Sequence, residues 1–107
     1  MADDVDPFPR YTREPGVLLS YRWSTDITYV QNVPQSVTDL HVNDSIKLQL
    51  NYENFHEFAW VEVLGYDNAF GYGKLVDVPY TIPLDKGDVI HFKTEHVFQW
   101  IKEGDVL

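Results

Sequence analysis

The sequence predicts a mainly β protein, built as a small, strongly bent antiparallel sheet or SH3-like barrel of about six strands with a short C-terminal helix. Three observations predict this class. Apolar and polar residues alternate over residues 45–52, aromatic residues make up 15% of the chain, and turn-forming sequences such as residues 43–44 and 85–88 recur at short spacing. An OB-like barrel, and a flatter α+β sheet with the helix packed across it, are the alternatives.

The chain is predicted to form one β-rich domain, residues 17–107, preceded by an arm. Its 107 residues suit a single domain, which at this size buries about two-thirds of the surface that the unfolded chain exposes. Residues 1–16 contain three of the six prolines and only scattered apolar residues. We therefore expect an extended or partly disordered arm there, with Phe8 and Tyr11 as residues that tether it to the domain.

The first half of the domain contains three predicted strands. Residues 17–23 and 26–33 are rich in apolar and aromatic residues, and the second stretch ends at Pro34, which cannot donate a hydrogen bond to a sheet ladder. Residues 36–42 form a short edge strand or a loop. Residues 45–52 are the clearest strand, because one side of the alternating pattern is apolar and the other is polar.

The next stretch predicts a hairpin with apolar residues on both faces of its first strand. One face carries Phe58, Trp60, Leu64 and Tyr66, and the other carries Ala59, Val61 and Val63. This pattern indicates a strand covered on both sides, with the indole of Trp60 in the interior. A two-residue turn at Asp67-Asn68 would place Trp60 opposite Leu75. Gly71 and Gly73 remove side chains from one face of the returning strand, for curvature and packing or, alternatively, for the approach of a ligand.

The C-terminal part predicts a tight turn, a strand and a helix. Gly87 supplies a positive φ to the turn of residues 85–88, and residues 89–92 follow as a strand. Val97, Phe98 and Ile101 recur at helical spacing, which favours a short helix over residues 94–103 with Thr94 as its N-cap.

Four motifs follow one another between residues 44 and 101: EFAWVEV (57–63), GKLVDVP (73–79), LDKGD (84–88) and FQW (98–100). In this order they resemble the YegJ-like family, a small bacterial domain of unknown function. Gln99, at the position of an acid, and Asp77-Val78, in place of an Asn-x pair, depart from the family pattern. The resemblance implies a compact, sheet-dominated domain and no established activity. Some comparable small domains are found next to bacterial toxins and serve as immunity proteins. This is an analogy from that neighbourhood and not a property of these residues.

Composition excludes several classes of function. The chain has no cysteine, so disulfides, iron–sulfur clusters, thiolate zinc sites and cysteine nucleophiles are all excluded. Its 17 acids and 8 bases give a formal net charge of −9, which repels nucleic-acid phosphates and anionic membranes and favours a basic protein as partner. The first residues lack the pattern of a secretory signal, and no apolar run has the length of a membrane span. We therefore expect a soluble, cytoplasmic protein.

No residue pattern predicts a catalytic, metal or cofactor site. Glu53, His56 and Glu57 are close in sequence, but they would share a face only on a helix, and a loop at this point would separate them. His91 alternates with apolar neighbours, which predicts an exposed histidine on the outer face. The sequence has no G-x-S-x-G elbow, no P-loop and no dinucleotide-binding fingerprint. The chain is therefore predicted not to be an enzyme.

The remaining prediction is a non-enzymatic protein-interaction domain with an acidic surface, for which neutralisation of a toxin is one form. Trp60 and Trp100 have apolar neighbours and are predicted core residues, whereas tyrosines and acids are expected at the surface. The predicted partner-binding residues are Glu53, Glu57, Glu62, Tyr66, Asp67, Tyr72, Asp77 and Tyr80. The alternative is a small-molecule-binding domain or an enzyme that uses a pocket near Trp60, Gly71 and Gly73.

Overall fold

The computed structural model describes residues 11–21 and 33–104, and these form a curled antiparallel half-barrel. Its strands are β1 (Leu18–Leu19), β2 (Ser45–Tyr52), β3 (Phe55–Asp67), β4 (Phe70–Leu75), β5 (Val89–Phe92) and β6 (Gln99–Ile101). The predicted class, a mainly β protein with a strongly bent antiparallel sheet, is confirmed. The first ten residues of the predicted arm, and all but Val33 of the strand predicted at residues 26–33, lie outside the described residues.

The sheet has the order β1-β2-β3-β4-β5, and β6 also pairs with β2. β3 is the longest strand, and its two edges are paired over different lengths. One edge pairs with β2 over residues 55–62, whereas the other edge pairs with β4 only from Val61 onward. The register of β3 and β4 shifts between Val63 and Gly65, which marks a β-bulge and bends the sheet.

The core lies on the concave side of the sheet. Ile46, Leu48 and Leu50 of β2 are fully buried, as the alternating pattern predicts. The predicted packing role of the two glycines is also confirmed, because a Cβ at Gly71 would lie 2.5 Å from the ring of Phe92. A Cβ at Gly73 would likewise lie 2.5 Å from the Glu62 carbonyl oxygen and from the Val61 side chain. The face of β4 without side chains is therefore filled by the protein itself.

The predicted interior position of Trp60 is wrong. The inward face of β3 carries Val61 and Val63, which are fully buried, whereas Phe58 is 46% exposed and Trp60 is half-buried. Val61, not Trp60, pairs with Leu75, because the hairpin turns at Asn68-Ala69, with Asn68 at φ 51°, and the bulge between Val63 and Gly65 then shifts the register by one residue. A half-barrel buries one face of its sheet, so the apolar side chains of the other face stay partly open to solvent.

The predicted C-terminal helix is also wrong. Thr94–His96 is a single 3-10 turn with Lys93 at the N-cap position, and Gln99–Ile101 is the strand β6. β6 pairs with residues 45–47 of β2 and buries Trp100 in the core. Aromatic and β-branched residues suit this pairing, because it satisfies backbone groups at the edge of β2 that a helix would leave open.

Asp44 joins β2 to β6 at this corner. The residue before it, Asn43, has φ 77°, as expected of a turn residue. The buried carboxylate of Asp44 accepts hydrogen bonds from the Trp100 indole at 3.0 Å and from the backbone N–H groups of His41 and Glu103, each at 2.9 Å. Burial opposes ionisation, but these hydrogen bonds outweigh it and lower the pKa of Asp44 from its usual value.

The segment predicted as a short edge strand or a loop, residues 36–42, contains no strand. It contains a 3-10 turn, Val37–Asp39, since the hydroxyl of Ser36 and the carboxylate of Asp39 cap that turn.

Residues 11–16, the described part of the predicted arm, lie against the domain. The backbone carbonyl of Tyr11 accepts a hydrogen bond from the His91 N–H at 2.7 Å, and its ring packs against the core.

Candidate functional site

A cleft of about 460 Å³ lies between the first half of β3 and the loop that follows β4. Residues 57–60 of β3 line one wall, and residues 77–80 of the loop line the other. We call it the Trp60 cleft, because the half-buried indole of Trp60 forms part of its first wall. The cleft opens on the side of β3 opposite to β2.

The loop is anchored to β3 at both ends of the cleft. At one end, the N–H of Val76 donates a hydrogen bond to the carbonyl of Trp60 at 3.1 Å. At the other end, the carboxylate of Glu57 accepts from the N–H of Tyr80 at 2.9 Å and from the hydroxyl of Thr81 at 2.6 Å. The N–H of Thr81 donates to the same carboxylate. These anchors hold residues 77–79 as the second wall.

The same hydrogen bonds set the charge state of Glu57. Partial burial opposes its ionisation, but the Thr81 hydroxyl and the backbone N–H groups of Tyr80, Thr81 and Ile82 outweigh that effect. Together they lower the pKa of Glu57 from its usual value. Both carboxylate oxygens of Glu57 are used by the loop, so this acid positions the cleft wall and adds a fixed negative charge to it.

The rim of the cleft concentrates exposed apolar side chains. Phe58 is 46% exposed, Val78 is 60% exposed, and the side chain of Tyr80 is almost fully in solvent at 96%. On the outer face, the ammonium group of Lys47 lies 5.1 Å from the ring centroid of Phe58 and 5.8 Å from that of Trp60. Exposed apolar groups gathered at one place, with a polar surround, are typical of an interaction site.

The eight predicted partner-binding residues do not form one surface. Glu57, Asp77 and Tyr80 converge on the Trp60 cleft. Asp67 and Tyr72 line a second cleft of about 380 Å³ at the end of the hairpin.

The other three predicted residues lie apart from both clefts. Tyr66 is exposed on β3, and Glu62 makes an ion pair with Lys74 at 3.3 Å. Glu53 occupies the turn between β2 and β3 with φ 55°. Phe58 and Val78 also line the Trp60 cleft but are absent from the predicted set, because the sequence pattern places Phe58 on a covered face and indicates no role for Val78.

The described residues bring no metal-binding group together. Within residues 11–21 and 33–104, no three histidine, aspartate or glutamate side chains are close enough to hold a metal ion. His56 contacts the Asn51 side chain at 2.6 Å, whereas Glu57 points to the loop and Glu53 lies in a turn. His91 is exposed on the outer face, as predicted, with its ring centroid 5.8 Å from that of Tyr72.

The comparisons with known proteins give no match: no family model, no curated protein and no solved structure is similar to this chain. The resemblance of residues 44–101 to the YegJ-like family therefore stays a prediction. Among the described residues, no helix is long and apolar enough to cross a membrane.

Proposed function

We propose that the protein is a non-enzymatic protein-interaction domain and that it binds a basic partner protein at the Trp60 cleft. The observation that carries this proposal is the group of exposed apolar side chains at the cleft rim, Phe58, Val78 and Tyr80. Large exposed aromatic side chains are frequent anchors of protein–protein contacts. Tyr80 leaves 96% of its surface in water, so its ring contributes little burial to the fold and is accessible to a partner.

The negative charge of the chain supports a positively charged partner. The chain carries a formal net charge of −9, and two acids, Glu57 and Asp77, line the cleft. A field of this sign speeds the encounter with a basic surface and disfavours acidic competitors. Toxin neutralisation is the form of this function that agrees with the small size and acidity of the chain.

The test compares a cleft variant with a matched control elsewhere on the surface. The cleft variant carries Asp77→Asn and Tyr80→Ala, and the control carries the same changes at Asp67 and Tyr66, which are exposed on the hairpin. Each protein is used as bait in an extract of the cells that make it, and captured proteins are quantified by mass spectrometry. The captured partner is then purified, and its affinity for each bait is measured by calorimetry.

We expect the captured partner to be a basic protein that binds the wild type and the control with equal affinity. The cleft variant should lose about tenfold in affinity or more, equivalent to about 1.4 kcal/mol. Raising the salt to about 0.5 M should weaken the complex, since screening reduces attraction between exposed charges. Equal binding of the cleft variant and the wild type, or a partner that is acidic, would contradict the proposal.

A second candidate function is the binding of a small molecule in the same cleft. Its volume of about 460 Å³ lies within the usual range of ligand pockets, about 300–1,000 Å³. This alternative no longer involves Gly71 and Gly73, because Phe92 and Val61 occupy the space beside them. A ligand that raises the melting temperature of the wild type but not of Trp60→Ala would favour it.

A further inference from the structure

We infer that the partner binds as an added β-strand along the free edge of β3 beside Phe58. This inference rests on the proposed function and specifies how the partner is held. It requires that β3 offer unpaired backbone groups at the cleft, that the edge have room for a strand, and that the surroundings favour a basic segment.

The backbone of β3 directs alternate residues to opposite neighbours, as in any antiparallel sheet. Val63 exchanges hydrogen bonds with the β2 side, donating to the Asp44 carbonyl at 2.8 Å and accepting from the Asn43 N–H at 2.9 Å. Trp60, in contrast, accepts from Val76 on the β4 side. Odd-numbered residues therefore face β2 in this register. Even-numbered residues, including Phe58, direct their N–H and C=O groups toward the opposite edge.

That edge has no strand beside it in the described part of the chain. β4 pairs with β3 from Val61 onward, and the line of β4 ends at the hydrogen bond between Val76 and Trp60. The loop then contacts the Glu57 side chain and not the backbone at residues 56 and 58. Residues 55–59 thus present a free edge of about 16 Å, at about 3.3 Å per residue.

The free edge and the cleft coincide, which gives an added strand both affinity and selectivity. His56 and Phe58 together offer two N–H donors and two C=O acceptors to an extended segment. Addition of a strand to an exposed sheet edge is a common mode of peptide recognition, in which the backbone supplies binding and pockets select alternate side chains. An unblocked edge of this kind is otherwise a site of unwanted aggregation.

The side chains around the edge specify the partner's chemistry. Positions next to the loop wall meet the charges of Asp77 and Glu57, which suit lysine or arginine. Positions over the outer face meet the rings of Phe58 and Trp60, where Lys47 already supplies a cation, so they suit apolar residues. The predicted occupant is an extended basic segment with alternating cationic and apolar residues. A second copy is disfavoured, because each chain carries −9.

The test uses three fluorescent peptides and the full chain. The first is a seven-residue peptide of alternating lysine and valine with blocked ends. The second and third carry N-methyl groups on the lysines or on the valines, respectively. Methylation preserves side chains and charge but removes the N–H donors from one edge of the extended peptide. Binding is measured by fluorescence anisotropy, with the Tyr80→Ala and Tyr66→Ala variants as a matched pair.

We expect the unmodified peptide to bind and one methylated peptide to lose about tenfold in affinity or more. The other methylated peptide should stay within about twofold, and Tyr80→Ala should weaken binding where Tyr66→Ala does not. Equal affinities for all three peptides would overturn strand addition and leave the interaction function intact. Failure of the unmodified peptide to bind would also overturn the inference, and the partner capture above tests the function separately. A dimer in sedimentation that the peptide dissociates would assign the edge to a second copy.

Discussion

Replacement of Asp44 by alanine tests the corner that holds β6 against β2. The change deletes a buried acceptor of three hydrogen bonds and leaves the Trp100 indole N–H without a partner in the core. The backbone N–H groups of His41 and Glu103 lie in exposed residues, so water can replace the carboxylate there. The cost therefore arises mainly at the indole.

The expected loss is about 3 kcal/mol in the free energy of unfolding. A buried donor left unsatisfied costs about 1–3 kcal/mol, and each hydrogen bond that water replaces costs about 0.5–1.5 kcal/mol. Asp44→Asn retains one acceptor oxygen and should lose less, about 1–2 kcal/mol. The same isosteric change at the exposed Asp67 should stay within about 0.5 kcal/mol.

Urea denaturation followed by tryptophan fluorescence and circular dichroism measures these differences. A double-mutant cycle of Asp44→Ala with Trp100→Phe isolates the indole–carboxylate pair, for which we expect a coupling energy of about 1.5 kcal/mol. A loss below about 1 kcal/mol for Asp44→Ala, or a coupling energy near zero, would refute this reasoning.

Three further predictions concern the core, the buried histidine and the cleft wall. Gly71→Ala should lower the free energy of unfolding by about 1–3 kcal/mol, because the new methyl group overlaps the Phe92 ring; an unchanged urea midpoint would contradict this. Burial lowers the pKa of His96 to about 4 from 6.5. Between pH 4 and pH 6.5 the unfolded chain therefore binds a proton at this histidine that the folded chain does not bind. Stability should therefore fall by about 3 kcal/mol as the pH falls from about 6.5 to 4, and His96→Gln should flatten urea midpoints measured across that window. Glu57→Gln removes charged acceptors from the loop and should speed amide exchange at Tyr80 and Thr81 about tenfold; unchanged exchange rates would show that the loop does not depend on this carboxylate.

The sequence predicted those parts of the fold that depend on local patterns. The alternation of residues 45–52 predicts β2 and its buried face, because a strand places every second side chain on one side. Asn43 and Gly87 both adopt the positive φ that their turns require. These outcomes need no knowledge of distant segments.

The errors arise where distant segments decide the outcome. The face of Trp60 depends on a sheet that curls over one side only, and a bulge between Val63 and Gly65 changes the register that a regular hairpin would have. The C-terminal residues were predicted as a helix because their spacing fits one, but residues 45–47 provide an edge that β6 pairs with. Spacing within a short segment cannot report a partner strand more than fifty residues away.

The candidate site could be predicted in part. The sequence indicates Glu57, Asp77 and Tyr80 only as separate acids and a tyrosine outside the core, and the structure brings them together. Their convergence depends on the hydrogen bonds between Glu57 and residues 80–81, which no sequence pattern predicts. The free edge at Phe58 depends on where the pairing of β4 stops, which the hairpin sequence alone does not define.

Amide hydrogen exchange at the free edge of β3 tests the central claim most directly. The rates for His56 and Phe58 would be measured by nuclear magnetic resonance with and without a saturating amount of the lysine–valine peptide. An added strand should slow both amides by about tenfold or more, while Asp67 at the hairpin end should keep its rate. Unchanged exchange at His56 and Phe58 in the bound protein would contradict strand addition at this edge.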